Sequence, residues 1–218
     1  MPEIIRPFTL KDLKSLCHVL ENVWDFDDHP RSLRSRLLVL RYALKCLLKS
    51  QAAFSAYVED RFAGAVFLTL KNGRGHVLFL PLLTQLLVLR ALITAFLWLT
   101  RYSFKYDYTR FEAKAQALTL QDFKDFPRSG GTIYLLIVDR DTQGRGIGRR
   151  LVERASVFFK ERQVSFFFLF TDTFCNYGFY RAAGFKEEVA RDVTAVFGPR
   201  PEDRIKARFF IFSRKVSP

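Results

Sequence analysis

Apolar residues along the chain fall into short continuous runs and longer runs with helical spacing. Thr132 to Val138, T-I-Y-L-L-I-V, is continuous and has the length and β-branched character of a buried strand. Polar turn-formers occupy Asp139 to Thr142. From Ile147 the apolar residues Leu151, Ala155 and Phe158 recur on one side, while Arg150, Glu153, Arg154 and Glu161 take other faces. That pattern predicts an amphipathic helix. Ser165 to Thr171, S-F-F-F-L-F-T, is a second continuous strand. Strand, helix, strand implies a right-handed crossover and parallel pairing.

The flanking pattern adds further elements. Glu3 to Arg6 reads as a first strand, and Thr9 caps a helix in T-L-K-D, with Leu13, Leu16, Val19 and Leu20 at helical spacing. Ser32 to Ser50 reads as a second helix, with Leu33, Leu37, Leu40, Leu44 and Leu47 on one side and basic residues elsewhere. Packing against a sheet suits it better than a membrane surface. Ala52 to Glu59 and Phe62 to Lys71 form a hairpin joined by Asp60 and Arg61. Glu187 to Phe197 and Lys206 to Val216 close the chain as strands, and Pro199 and Pro201 between them exclude regular pairing there.

Val77 to Thr100 is almost wholly apolar and long enough to span a bilayer, for which ~20 residues suffice. Pro81, Gln85 and Arg90 oppose that reading, the arginine at a cost on the order of 3 kcal/mol near mid-membrane. Residues 72–131 are expected instead to form a helical insertion, helix-turn-helix, ending at a flexible Ser129-Gly130-Gly131. Its apolar surplus needs cover by the sheet, by another subunit or, as the weaker alternative, by a membrane surface, and a homodimer contact or a wall of the acceptor site are the two leading expectations.

The loop between the first strand and its helix carries the candidate chemistry. Gly144, Gly146 and Gly148 alternate with Arg145 and Ile147. The first N–H groups of a helix lack intrahelical partners, the dipole makes that end electropositive, and glycines admit an anion to the bare backbone. Arg145, Arg149 and Arg150 add positive charge. The dinucleotide fingerprint fails, because Arg149 stands at the last glycine position, and no nucleotide P-loop run is present. Q-x-x-G-x-G does match, as Gln143, Gly146 and Gly148. After the second strand come Asn176 and F-Y-x-x-x-G-F, which is Phe179, Tyr180, Gly184 and Phe185. With these two motifs in order, the sequence resembles the GNAT superfamily of acyl-CoA-dependent N-acyltransferases.

The resemblance is best over 132–186, weaker over 1–71 and 187–216, and absent over the insertion. It implies a single α/β domain over 1–218 with a mixed central sheet and flanking helices, whose strands at about 132–138 and 165–171 are parallel and diverging. The strand before the insertion and the strand at Thr132 then share one sheet, so a single membrane crossing between them is excluded and no transmembrane span is expected. Acetyl-CoA is the implied cosubstrate. Its diphosphate would sit on the main chain of Gln143, Gly144, Arg145, Gly146, Ile147, Gly148 and Arg149. Its pantetheine arm would lie along the backbone of Ile137 and Val138, with Asn176 as a further hydrogen-bonding group. Gly64 matches a position where the family tends to carry a small residue.

The implied activity is transfer of an acetyl group to an amine of a small molecule, peptide or protein. Tyr180 is the candidate catalytic residue, hydrogen-bonding or protonating the departing sulfur; Phe179 and Phe185 read as core. Neutralising a lysine-type amine at pH 7 costs roughly 4.6 kcal/mol, and many family members place a glutamate near the start of the strand before the cradle. Thr132 stands there in this chain. Asp172, Asp139, Tyr134 or a residue of the insertion remain as bases acting through water, and a non-catalytic acyl-CoA-binding module remains the second reading. The loop Trp24 to Pro30, W-D-F-D-D-H-P, is either an ordinary connection or a lining for the acceptor side, where Asp25, Asp27 and Asp28 attract a cationic amine.

Composition changes little of this. The chain has 218 residues, 24 of them Phe, and a net charge of +13, which suits a polyanionic cofactor as well as nucleic acid or an acidic membrane. No motif for specific nucleic-acid binding supports the charge. Cys17, Cys46 and Cys175 are scattered, as are His18, His29 and His76, so neither a disulfide framework nor a metal site is expected. M-P-E-I-I-R-P-F holds no signal-peptide core, and a cytoplasmic setting is expected.

Overall fold

Thr9 opens the first helical segment much as T-L-K-D predicts. In the computed structural model, which describes residues 3–24, 32–71, 80–99, 108–123, 130–196 and 204–216, Asp12 reaches back to accept the Thr9 N–H at 2.8 Å. One 3-10 turn, Leu10–Asp12, then leads into α1, Leu13–Val23. The strands form one mixed seven-stranded sheet in an α/β fold, ordered β1-β2-β3-β4-β5-β7-β6, with β4 and β5 parallel. By its contacts the chain gathers into two groups of elements, Met1–Arg101 with Ile133–Phe158 and Tyr102–Thr132 with Phe159–Pro218.

In the first group β1 (Glu3–Pro7), β2 (Ala52–Val58) and β3 (Arg61–Leu70) run antiparallel in sequence. The hairpin turn is Glu59-Asp60 rather than Asp60-Arg61, and both turn residues have positive φ, the geometry whose twist matches that of the flanking strands. α2, Leu33–Lys49, starts at Ser32, whose hydroxyl accepts the Ser35 N–H at 3.0 Å. Its buried stripe is Leu38, Val39, Ala43, Leu44, Cys46 and Leu47, whereas Leu33 is exposed and Leu37 and Leu40 are half-buried. The expected leucine face is thus displaced. The cause is that α2 contacts both β3 and a further helix, α3, Leu80–Leu99, so no single face is its inner one. Phe8, Leu16, Val19, Leu20, Phe67, Leu135 and Ile137 share the core with α2.

α3 fits its sequence pattern and breaks the usual burial rule. Leu86, Ile93 and Leu97 are buried, while Leu87, Val88, Leu89, Leu92, Phe96, Trp98 and Leu99 are exposed. It is the one helix among the described residues long and apolar enough to cross a membrane, and only 17% of Leu82–Leu99 is buried.

In the second group α4, Tyr108–Gln121, packs on β6 (Lys186–Val196) and β7 (Arg204–Lys215). Arg191 ties it down, donating to Leu118 O at 2.9 Å and Asp122 Oδ2 at 2.7 Å. β7 runs antiparallel to both β6 and β5, Phe166–Asp172. Gly131 is not a flexible hinge. It is the first residue of β4, Gly131–Val138, and is buried against the Phe159 ring, where an added Cβ would meet a ring carbon at 2.2 Å. Within 72–131 the described helices are α3 and α4. The acidic loop with Asp25, Asp27 and Asp28, the proline-containing connection with Pro199 and Pro201, and Ser129 lie outside the described residues.

Candidate functional site

β3 and β4 approach closely where the site begins. A Cβ on Gly64 would stand 2.5 Å from Ile137 O and 3.1 Å from Val138 Cα, so the small residue expected at 64 is required by backbone contact. Asp139 N–H donates to Ala63 O at 2.9 Å as the ladder ends. Ile137 is buried in the first group's core and Val138 is half-buried. Gly64→Ala forces these strands apart at the point where the pantetheine arm is expected. Urea unfolding should report a loss of about 1–3 kcal/mol, the usual cost of overpacking.

The chain leaves β4 through a second 3-10 turn, Arg140–Thr142. Thr142 Oγ1 donates to Ala63 O at 3.2 Å and to Asp139 O at 3.1 Å. Gln143 Nε2 donates to Val138 O at 3.3 Å, and Arg140 reaches Val23 O at 3.1 Å. These bonds fix the loop from both sides. Gly144 and Gly146 have φ of +78° and +79° with Arg145 between them at negative φ. Added Cβ atoms there meet nothing within 3.7 Å, so conformation rather than space demands glycine. Alternating φ signs turn successive N–H groups to one side, forming an anion-binding nest.

α5, Ile147–Lys160, continues from that nest. Ile147, Leu151, Val152, Ala155, Phe158 and Phe159 are buried, which includes every residue of the expected stripe. Arg150 N–H donates to Gly146 O at 3.1 Å as the first bond of the helix, leaving the N–H groups of Ile147, Gly148 and Arg149 without an intrahelical acceptor. Gln143 to Gly146 are exposed and Ile147 anchors them from below. The three arginines are not equivalent. Arg150 is bound by Glu3, with Nε to Oε1 at 2.6 Å, and donates to Arg145 O at 2.8 Å. It therefore holds the loop's shape instead of adding free charge. Arg149 pairs with Glu153 at 3.5 Å. Arg145 has no ion-pair partner among the described residues and is exposed, so it is the cation available to a ligand.

The second motif lies in the other group. α6 is the five-residue Gly178–Ala182. Gly184 has φ +80°, and its N–H donates to Arg181 O at 3.1 Å while Phe185 N–H donates to Tyr180 O at 3.0 Å. This pair of bonds is a Schellman cap. Phe185 is buried edge-on to Tyr180 and Phe167, with centroids at 5.8 and 5.7 Å. Phe179 is only half-buried, not core, because its short helix sits at the margin of the group. Asn176 is exposed; its carbonyl accepts the Phe179 N–H at 3.2 Å, so its backbone rather than its side chain starts the turn.

Tyr180 is half-buried among Phe179, Phe185 and Phe212. Loss of solvent, then the neighbouring Cys175 and Asp172, push its pKa well above the ordinary tyrosine value, so it keeps its proton. Burial and then the Asp172 charge push the Cys175 thiol up to about 12. Asp172 is itself buried and accepts the Phe174 N–H at 2.8 Å. In the sequence Cys175 is one of three scattered cysteines, and its only local signal is its place between Asp172 and Tyr180. Thr132 is half-buried, and Asp139 Oδ1 is buried without a hydrogen-bond partner among the described residues.

Residues 112–187 match the family model described as an acetyltransferase (GNAT) domain. Over that stretch the chain is similar to the GNAT family. Three solved structures share its fold: the ribosomal-protein-S18-alanine N-acetyltransferase of Escherichia coli (14% identity, TM-score 0.54, covering 100% of this chain and 96% of that one), Ard1 of Thermoplasma volcanium (12%, 0.55, all of both chains), and an N-acetyltransferase of Staphylococcus aureus Mu50 (11%, 0.53, all of both chains). No curated protein matches the chain. The GNAT match begins inside α4 and ends at the start of β6. It therefore includes the nest, α5 and α6, and it reaches into the stretch expected to be an insertion.

Proposed function

We propose that this protein is a GNAT acetyltransferase that moves the acetyl group of acetyl-CoA to an amine of a small molecule, peptide or protein by direct attack. The observation that carries the reading is the run of N–H groups without an intrahelical acceptor at the start of α5, joined to a two-glycine nest with Arg145 beside it. A diphosphate fits such a site through backbone donors and dipole together.

Bound acetyl-CoA supplies the acyl group as an activated thioester. The chain's part is to hold it and manage protons. The main chain from Gln143 to Arg149 grips the diphosphate, and the backbone at Ile137 and Val138 orients the arm and offers an N–H to the thioester carbonyl. Asn176 adds a further polar contact. Tyr180, kept protonated, donates to the departing sulfur. The raised pKa makes it a hydrogen-bond donor rather than a strong acid, since a thiol of pKa ~8.5 is the more acidic of the two. Cys175 is a poor covalent relay for the same environmental reason, because the thiolate, not the thiol, is the nucleophile. This favours direct transfer.

A second reading, a non-catalytic acyl-CoA-binding module, draws on Thr132, which cannot accept the amine's proton. Both readings predict cofactor binding. Acetyl-CoA at a hundredfold excess over its dissociation constant should add about 2.7 kcal/mol, or roughly 5–11 °C in a thermal melt of a chain this size. No shift would remove both readings. Release of free coenzyme A only when an amine acceptor is present selects the enzyme.

A further inference from the structure

We propose that α3, which lies within a strongly basic stretch of the sequence, seats this protein on an anionic lipid surface, with α3 lying in the plane of the interface. The helix presents two unlike sides. Leu86, Ile93 and Leu97 are buried, and α3 contacts α2. Leu87, Val88, Leu92, Phe96, Trp98 and Leu99 face outward, Trp98 with 69% of its surface exposed. Of the eleven large apolar side chains exposed among the described residues, seven belong to this one helix, so the surplus is local rather than a general property of the surface.

α3 does not cross the membrane. β3 before it and β4 after it meet backbone to backbone, through Asp139 N–H to Ala63 O and the close approach at Gly64. With both strands on one side and a stripe of the helix committed to α2, only its outer side is available to lipid.

Charge selects the partner. Residues 30–106 hold 12 Lys or Arg and 2 Asp or Glu, a net +10, against 23 and 20 in the rest of the chain, a net +3. Between Arg61 and Tyr106 there is no carboxylate, and the same is true between Pro30 and Val58. Arg34, Arg36 and Lys49 of α2 and Lys71 after β3 are exposed. A second copy would bring the same positive segment against itself, which like charges oppose. An anionic leaflet attracts it, and the apolar side of α3 gives the depth that charge alone does not. Trp98, near the helix end, belongs to the residue type enriched where chain meets headgroups.

The test is flotation of the full chain with vesicles of phosphatidylcholine alone and of phosphatidylcholine mixed with phosphatidylglycerol. Binding to the anionic vesicles should exceed binding to the neutral ones by about tenfold or more and weaken as salt is added. Leu92→Glu with Phe96→Glu, both at exposed positions, should lower it by about tenfold or more, whereas Val157→Glu, an exposed apolar residue on α5, should leave it unchanged. The chain has two tryptophans, so Trp24→Phe leaves Trp98 as sole reporter. Its emission should move to the blue on adding anionic vesicles, which settles the matter even if the double variant folds poorly. Absence of flotation, equal binding to both vesicles, or an unmoved Trp98 spectrum overturns the proposal. So does a dimer by light scattering that the Leu92/Phe96 pair dissolves without any vesicle binding, which would assign this side to a second copy.

Discussion

Tyr180→Phe should lower turnover by about 10²-fold, the scale of one lost hydrogen-bond donor to developing negative charge, and leave coenzyme A affinity unchanged. The phenol is kept protonated by burial and by Cys175 and Asp172, so the variant removes a donor and no charge. The ring contacts to Phe185 and Phe212 are those a phenylalanine also makes, which keeps the fold intact. An effect on the Michaelis constant for acetyl-CoA without one on kcat would instead place Tyr180 in binding. Cys175→Ser run beside it should turn over normally, because a thiol pushed up to about 12 stores no acyl group at neutral pH. Loss of activity there would favour a covalent relay.

The second large effect is on stability. Asp12 is 1% exposed and takes two bonds from Arg6 at 2.7 and 3.0 Å, one from Tyr57 at 2.5 Å, one from Ser55 at 3.0 Å and one from the Thr9 N–H at 2.8 Å. Burial works to raise its pKa, but the bonds from Arg6, Tyr57, Thr9 and Ser55 outweigh it and hold the carboxyl below its usual range. Asp12→Ala strands three side-chain donors and should cost about 3 kcal/mol in urea unfolding. The pH sign follows from the lowered value. The wild-type contribution is complete above the unfolded pKa of about 3.9 and fades as pH falls through the lower folded value. The two proteins should therefore converge in stability below about pH 4, and a gap that stayed constant into acid would contradict the assignment.

How far sequence reached into this molecule depends on whether local chemistry or packing decided each feature. The glycines announced themselves: Gly144 and Gly146 need positive φ, and Gly184 caps a helix, each a backbone demand that few other residues meet. Continuous apolar runs likewise marked β4 and β5 to within a residue. Periodicity failed where a helix has more than one covered side, as in α2, which contacts α1, α3 and β3. Arginine roles were illegible because partners lie far off in the chain; Arg150 bonds Glu3 across 147 positions. Asp12 read as a cap and proved to be a hub for the same reason, with Ser55 and Tyr57 supplied by β2.

The central claim is that the main chain from Gln143 to Arg149 holds the diphosphate of coenzyme A. Amide-resolved NMR during titration with coenzyme A tests it most directly. The account predicts that the N–H signals of Gly144, Gly146, Ile147, Gly148 and Arg149 shift most and gain protection from exchange, with Gly146→Val abolishing the response. Saturable binding that leaves those amides unmoved while signals elsewhere change would contradict it.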